Sequence, residues 1–408
     1  MGNSERWVRN CLARIKERDD VVHAWIHLDE EYAIAQARER DDEEPRSPLH
    51  GVPVGIKDVI DTADLPTERG TPIHAGRRPS ADAACVRTLK DAGAVILGKT
   101  VSTELATWRP GPTTNPHDPR RTPGGSSSGS AAAVADRMVP LALGTQTVGS
   151  TIRPAAFCGA WALKPTYGRI PMDGVQPLSA RIDTVGLFAG DAAGLGMLHA
   201  ALSGARHRPL REPESALRIG FLRTPWWQRA DDAGRAAVQE AAARCARAGA
   251  EVTDVPAPRE FDELLDAHWT IMEVETAQAL APEYEIGANR LGVTLREVIE
   301  SGRQVDVAEY RRAVDFTERA KEQIDEILTR WDAVLAPAVL GEAPAGIEST
   351  GDALFCRAWS LLGVPAVAVP GLHGPHGMPI GVQLIGQRDQ DRELLDIAAW
   401  VGRKLAAR

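Results

Sequence analysis

The sequence predicts an α/β protein, an α/β/α sandwich with a large mixed central sheet and a helical cover. Three features carry that expectation. Strand-length apolar runs at 49–60, 94–97, 363–370 and 381–386 are punctuated by Gly and Pro. Helix-period segments at 82–93 and 392–405 lie beside them, and a helix leading into a strand calls for layered packing. Between 205 and 345 the composition shifts to Ala, Arg, Glu and Asp with helical periodicity, as at 231–249 and 309–331.

Taken in order, residues 1–44 are charge-rich and helical in pattern, their polar run 30–44 suiting a solvated face. The apolar text of 49–60 reads as a buried strand and is interrupted by a single pair, Lys57-Asp58. An amphipathic helix at 82–93 is closed by Gly93 and followed by the short strand 94–97. Residues 110–129 are dense in Pro, Thr, Asn, Gly and Ser, and a loop of that length in a packed domain is either functional or disordered. The helix beginning at 131–135 anchors it. A second Gly/Thr loop, 144–153, follows the apolar 139–143. The expected organisation is one domain, 1–408: an N-terminal helical segment 1–48, a core 49–190, a mainly helical cover 205–345, and strands and a helix at 355–408 that complete the same sheet.

Composition excludes several function classes. The 408 residues are 43% hydrophobic and 25% charged, an ordinary globular balance. A net charge of −9, from 47 basic and 56 acidic residues, gives no field that draws nucleic acid or an anionic membrane, so small molecules are the expected partners. Cys11, Cys85, Cys158, Cys245 and Cys356 are odd in number and widely spaced, which predicts reduced, buried thiols. No signal-like apolar core opens the chain and no run reaches the ~18 apolar residues of a membrane span, so a cytoplasmic location is expected.

Two motifs fit a pattern without its context. Residues 93–100 satisfy G-x-x-x-x-G-K-[ST], but the interval between the glycines is Ala94-Val95-Ile96-Leu97, itself the strand, where a phosphate loop needs a flexible turn. Lys99 is therefore expected to be a surface or strand-end charge. Gly125-Ser126-Ser127-Ser128-Gly129 fits G-x-S-x-G, yet the polar, Pro-containing 120–123 leads into it instead of a strand, and no His-Gly-Gly-Gly segment is present. The ten histidines form no H-E-x-x-H pair and no Cys/His cluster has zinc-ligand spacing, so neither metal nor cofactor is expected; His74 and His268 read as packing or surface residues.

What remains is a rich serine supply in glycine loops, one lysine at the end of an apolar run, and no evident catalytic histidine. A serine hydroxyl is a weak nucleophile until a base takes its proton, and a desolvated lysine can be that base because burial disfavours its charged form. Taken alone, Lys57 reads better as a strand-end charge paired with Asp58 or Asp61, and the Ser/Gly loops as flexible linkers.

Together these residues resemble the amidase signature family. The resemblance lies in Gly124-Gly125-Ser126-Ser127-Ser128-Gly129-Ser130-Ala131-Ala132-Ala133, in Gly144-Thr145-Gln146-Thr147-Val148-Gly149-Ser150 with Arg153-Pro154-Ala155, and in Lys164-Pro165-Thr166-Tyr167-Gly168-Arg169. It extends to Gly51-Val52-Pro53-Val54-Gly55-Ile56-Lys57-Asp58, Gly363-Val364-Pro365-Ala366 and Pro379-Ile380-Gly381-Val382-Gln383, and so covers most of 49–190 and 355–405. It implies a Ser–Ser–Lys amidohydrolase with Ser150 as nucleophile, Ser126 as bridge after a cis peptide, and Lys57 as base. It also implies an oxyanion hole from the backbone N–H groups of Thr147, Val148, Gly149 and Ser150.

The sequence departs from the family at Val148, where glycine is usual and a β-branched residue would be strained at positive φ, and at Gln146, often an aspartate. Arg153 suits loop fixing and substrate contact equally, and Asp183 a structural role. Trp108 and Ser127 are the candidate substrate contacts; Trp226, Trp227, Trp269 and Trp359 are weighed against core packing. The resulting expectation is cleavage of a C–N bond in a small linear amide or carbamate through an acyl-enzyme. The alternatives are a glutaminase subunit of an amidotransferase, an esterase-leaning relative, or a non-catalytic homologue. The oligomeric state stays open, a homodimer included.

Overall fold

The computed structural model describes residues 2–258 and 261–407. Its centre is a sheet of eleven strands: β1 (Trp25–Leu28), β2 (Pro53–Lys57), β3 (Val95–Thr100), β4 (Leu141–Gln146), β5 (Trp161–Lys164), β6 (Thr184–Ala189), β7 (Arg218–Leu222), β8 (Glu251–Val255), β9 (Ala333–Pro337), β10 (Ala366–Val369) and β11 (Val382–Ile385). They lie in the order β1-β3-β2-β4-β6-β5-β10-β11-β9-β7-β8. β3, β2 and β4 run parallel, as do β9, β7 and β8, while the pairs between these groups are antiparallel. The early and late parts of the chain join at β5–β10, where Leu163 faces Val367.

Helices cover the sheet. Before β4 come α1 (Asn3–Val22), α2 (Glu30–Asp41), α3 (Ala84–Asp91) and α4 (Ser128–Ala135); then α5 (Ile152–Cys158) and α6 (Ala192–Ser203). The middle of the chain supplies α7 (Asp232–Arg247), α8 (Phe261–Ala279), α9 (Ala281–Gly287), α10 (Val293–Gly302) and α11 (Val307–Leu328), and the end α12 (Leu354–Leu362) and α13 (Asp391–Ala406). Local chemistry sets their ends. Asp29, Asp191, Asp231 and Asp306 accept from free N–H groups in the first turns of α2, α6, α7 and α11.

One helical layer runs α3–α6–α13–α7; α4 and α5 pack against each other and onto the central strands. α4 is built from small residues and nearly all of it is buried. Its Gly129 leaves room only for hydrogen, since a Cβ there would stand 2.3 Å from the Ala24 carbonyl oxygen and 2.4 Å from the Val101 nitrogen. Against α8 pack α10, α11 and α12, the helical cover that the sequence predicts.

Two expectations need correction. Residues 205–345 also carry β7, β8 and β9, which form one end of the sheet, so this segment extends the sheet as well as covering it. The charge-rich N-terminal segment contributes β1, the opposite edge. All five cysteines are buried and free, as the sequence predicts. Among the described residues, no helix is long and apolar enough to cross a membrane.

Candidate active site

β2 lies between two parallel neighbours and all five of its residues are buried, the usual state of a parallel strand covered on both faces. Lys57 is its last residue and is fully buried. Its Nζ lies 2.6 Å from Ser126 Oγ and 2.7 Å from Thr145 Oγ1. Among the described residues no carboxylate pairs with it: Asp58 instead lies 3.8 Å from Lys99 and Asp61 binds Arg77, which removes the reading of a strand-end ion pair. Burial pushes the Lys57 ammonium well below its ordinary range, and the charge of Asp183 opposes that only in part.

The first serine loop is held from several directions. The Gly125–Ser126 peptide is cis, as the resemblance implies. The Gly125 carbonyl accepts from Arg153 at 2.6 Å, and the Ser126 carbonyl from the Thr103 N–H at 3.2 Å. Gly124 adopts φ 81°, and a Cβ on it would meet Pro154 Cα at 2.8 Å, so glycine is required there twice over. Arg153 also donates to the Gly351 carbonyl and to Thr350 Oγ1 and so takes the loop-fixing role; it lines the cavity as well.

The second loop, 147–150, has its carbonyls pinned from behind. The Thr147 oxygen lies 3.3 Å from His268 Nε2, the Val148 oxygen accepts from Ser360 Oγ at 2.8 Å, and the Gly149 oxygen from the Arg153 N–H at 3.0 Å. Each pinned carbonyl turns its peptide so that the N–H faces the other way. Among the described residues, no protein group accepts from the N–H of Val148, Gly149 or Ser150. Burial, reinforced by the Arg357 charge, lowers His268 to about 4, so the ring is neutral at neutral pH and donates to Thr147.

Asp183 braces the loop from a third side. It accepts from Thr147 Oγ1 at 2.6 Å and from the Leu178 and Ser179 N–H groups at 2.7 and 2.9 Å. Burial raises its carboxyl to about 6 despite those donors. Val148 is absent from the residues at positive φ, so its β-branch carries no backbone strain. Gly149 is needed for space: a Cβ there would stand 2.9 Å from Ala353 Cβ and 3.0 Å from Cys356 Cβ. Gln146 accepts from the Thr151 and Ile152 N–H groups at the start of α5 and donates to Ser360, a neutral amide making the contacts that orient the loop's exit.

Thr147, Val148 and Ser150 border a cavity of about 640 Å³, the size class of small-molecule sites, and Ser150 is 7% exposed at its wall. Trp108 lines it, with Trp269 packed behind at 6.3 Å between ring centroids. Trp226 and Trp359 instead sandwich Phe261 in the core, and Trp227 packs on Phe221. Ser127 corrects the sequence expectation. It is fully buried, outside the cavity, its hydroxyl donating to the Thr145 carbonyl while its N–H donates to the Ser150 carbonyl; it ties the two loops together and does not face substrate. Lys99 is likewise no surface charge. It is fully buried, bound to the Ile60 carbonyl and to Thr62 and Thr67, and burial lowers it to about 8. His74 pairs with Glu283 at 3.0 Å. Thr145 was not singled out by the sequence; its signal was its place beside Lys57 on the neighbouring strand. Among the described residues no acidic, His or Cys cluster could hold a metal.

A family model described as Amidase matches residues 6–395. A glutamyl-tRNA(Gln) amidotransferase subunit from Chloroflexus aggregans is 34% identical over 95% of this chain and 90% of its own length. Among solved structures, a chain from a vestigial protein complex that reveals the evolutionary origins of an s-triazine catabolic enzyme superposes with TM-score 0.89 at 31% identity, covering 98% of this chain and 94% of that one. The native peptide amidase of Stenotrophomonas maltophilia superposes with TM-score 0.83 at 29% identity, covering 99% and 94%.

Proposed function

The chain belongs to the amidase family, the amidase signature enzymes, and from that premise we propose that it hydrolyses the C–N bond of a small amide or carbamate through a seryl acyl-enzyme. Ser150 is the nucleophile, Ser126 the bridge and Lys57 the base. The observation that carries the reading is a fully buried lysine amine 2.6 Å from a serine hydroxyl, beside a loop that borders the cavity.

The chemistry follows from that arrangement. A neutral amine has two N–H bonds and one lone pair. Lys57 spends an N–H on Thr145 Oγ1, which leaves its lone pair for the Ser126 proton. As that proton moves, Ser126 accepts the proton of Ser150, and Ser150 Oγ attacks the carbonyl carbon. Negative charge collects on the former carbonyl oxygen, where the N–H groups of Thr147, Val148, Gly149 and Ser150 meet it, the last three without reorganising because their peptides are fixed already by His268, Ser360 and the Arg153 N–H. Protons return through the relay to the leaving nitrogen, the C–N bond breaks, and water repeats the sequence to release the acid.

A second reading has its own support. The curated relative at 34% identity belongs to an amidotransferase, so this chain could serve as a glutaminase that passes ammonia to a partner. The chemistry at Ser150 would be the same; substrate and company would differ. The cavity of about 640 Å³ favours an amide larger than glutamine. Ammonia release by the purified chain from glutamine, set against a panel of larger primary amides, separates the two: glutamine turnover that appears only with a captured partner supports the amidotransferase role.

The test common to both is intact-protein mass after exposure to a fluorophosphonate. One stoichiometric adduct, lost in Ser150→Ala, slowed in Lys57→Met and kept in Ser127→Ala, is the expected result. An adduct that depends on Ser127 overturns the assignment, and no adduct favours a non-catalytic homologue.

A further inference from the structure

The cavity beside Ser150 has two unlike walls. One is apolar, formed by Trp108, Leu178, Met272, Val293 and Leu295. The other is ionic and comes from the segment 348–357 with Arg153. On that second wall the guanidiniums of Arg153 and Arg357 and the carboxylates of Glu348 and Asp352 are equal in number but are not matched in pairs. Arg153 is 8% exposed, and every group it binds is neutral: two backbone carbonyls and one hydroxyl. A buried guanidinium is ordinarily paired with an anion. Its Nε is buried and has no partner among the described residues.

Arg357 is the second cation there. Its nearest carboxylate is Asp352 at 3.7 Å, beyond hydrogen-bond reach, and its Nε is also buried without a protein partner. Asp352 is shared, since Arg229 lies 3.7 Å from its other oxygen. One carboxylate thus serves two guanidiniums while Arg153 has none. Glu348, the other acid on this wall, is exposed to solvent and makes no ion pair among the described residues, so its charge is screened.

The helix carrying Arg357 aims it at the reaction. Ala353, Cys356 and Ser360 stand at i, i+3 and i+7 near one face of α12, and that face is the one against the 147–150 loop: Ala353 and Cys356 abut Gly149, and Ser360 binds the Val148 carbonyl. Arg357, four residues after Ala353, shares that face and lines the cavity.

Resting on the Ser150 reading above, we propose that the substrate is an amide carrying a carboxylate away from the scissile bond, with Arg357 as the specificity-determining residue that takes the carboxylate and an apolar body between them lying against Trp108 and Met272. Arg229 stays beside Asp352 when Arg357 turns to the ligand, so Asp352 keeps a cation near it. Arg153 adds its field while its N–H groups hold the loop. The anion in turn supplies the hydrogen-bonding partner that Arg357 lacks on that wall.

The test compares two primary amides: a phenyl-substituted glutaramic acid, and its analogue with a hydroxymethyl group in place of the carboxylate. Ammonia release gives kcat/KM for each, and the ratio within one preparation cancels any loss of folded enzyme. A desolvated charge-assisted pair predicts a ratio of about tenfold to a hundredfold for the wild type. Arg357→Gln brings the ratio toward one, chiefly through KM for the acid, and Arg357→Lys recovers part of it. A wild-type ratio near one, a ratio unchanged in Arg357→Gln, or turnover of neither amide overturns the inference. Fluorophosphonate labelling of Ser150 in the same samples keeps the two proposals apart: labelling without the charge preference sinks this one alone, whereas no labelling sinks the serine mechanism beneath it.

Discussion

Replacing Lys57 by methionine separates its chemistry from its packing. The side chain is fully buried, and methionine fills most of its volume while removing the amine. Two hydroxyls, those of Ser126 and Thr145, lose a partner, at a cost of about 1–3 kcal/mol that does not vary with pH. The titration contributes a second difference, and it does vary. In the unfolded chain the ammonium titrates near ~10.4, and in the folded protein well below that, because burial disfavours the charge. Between the two values the unfolded state holds the extra proton, so wild-type stability climbs as pH rises through this window and levels off above about 10.4. Each unit of depression contributes ~1.4 kcal/mol. The Lys57→Met protein lacks this slope, so its stability relative to wild type is greatest at neutral pH and falls toward pH ~10.5. Lys99, lowered to about 8, and Lys164, lowered to about 7, give slopes of the same sign in both proteins and cancel in the difference. With ~2.1 cal/mol/K of unfolding entropy per residue, the Tm offset between pH ~7 and ~10.5 is about 1.6 °C per unit of depression, within reach of paired scanning calorimetry. Activity at neutral pH should fall by about 10²–10⁴, the usual worth of a positioned base. An offset that stays constant across that pH range would mean a folded-state lysine still protonated at neutral pH, and the base assignment would fall with it.

Asp183→Asn removes the charge that holds Lys57 up, so the rise of kcat/KM that follows the loss of the Lys57 proton should move to lower pH; a single amide oxygen cannot replace both carboxylate oxygens, and unfolding should cost about 1–3 kcal/mol less by urea titration. Gln146→Glu introduces a carboxylate one residue from Thr145 and should shift the same rise to higher pH while still accepting from the Thr151 and Ile152 N–H groups; an unmoved pH–rate profile would show that Gln146 does not influence the titration. Gly149→Ala forces the loop away from Ala353 and Cys356, and displacement of Ser150 by on the order of 1 Å should cost about 10² in kcat with Tm little changed; steady-state kinetics beside a melting curve checks both.

The parts of this protein that could be read from its sequence are those where one residue type serves one local purpose. A lone lysine at the end of an apolar strand, glycines clustered around serines, and strands bounded by Gly and Pro each carry a local signal, and β2, α4, β10 and β11 fall where that signal places them. β7, β8 and β9 left little trace because each is only five residues long and lies among long helices, and β8 is largely exposed, so its alternation resembles surface. β1, four residues long, is hidden the same way between two charge-rich helices.

Side chains whose roles depend on distant partners could not be read at all. Lys99 has the look of a strand-end charge until Thr62, Thr67 and the Ile60 carbonyl close around it, and Ser127 looks as available as Ser126 until Thr145 takes its hydroxyl. Ser126 presents its hydroxyl to Lys57, whereas Ser127 turns back into the protein and binds the strand beside β2. The same limit applies to the cavity. Its apolar wall comes from Trp108, Leu178 and the helical cover and its ionic wall from 348–357, segments with no motif of their own, and Arg153 and Arg357 line one cavity only because α5 and α12 both pack against the 147–150 loop. The machinery that attacks a carbonyl is therefore written in contiguous motifs, while the choice of which carbonyl is distributed over residues that the fold alone brings together.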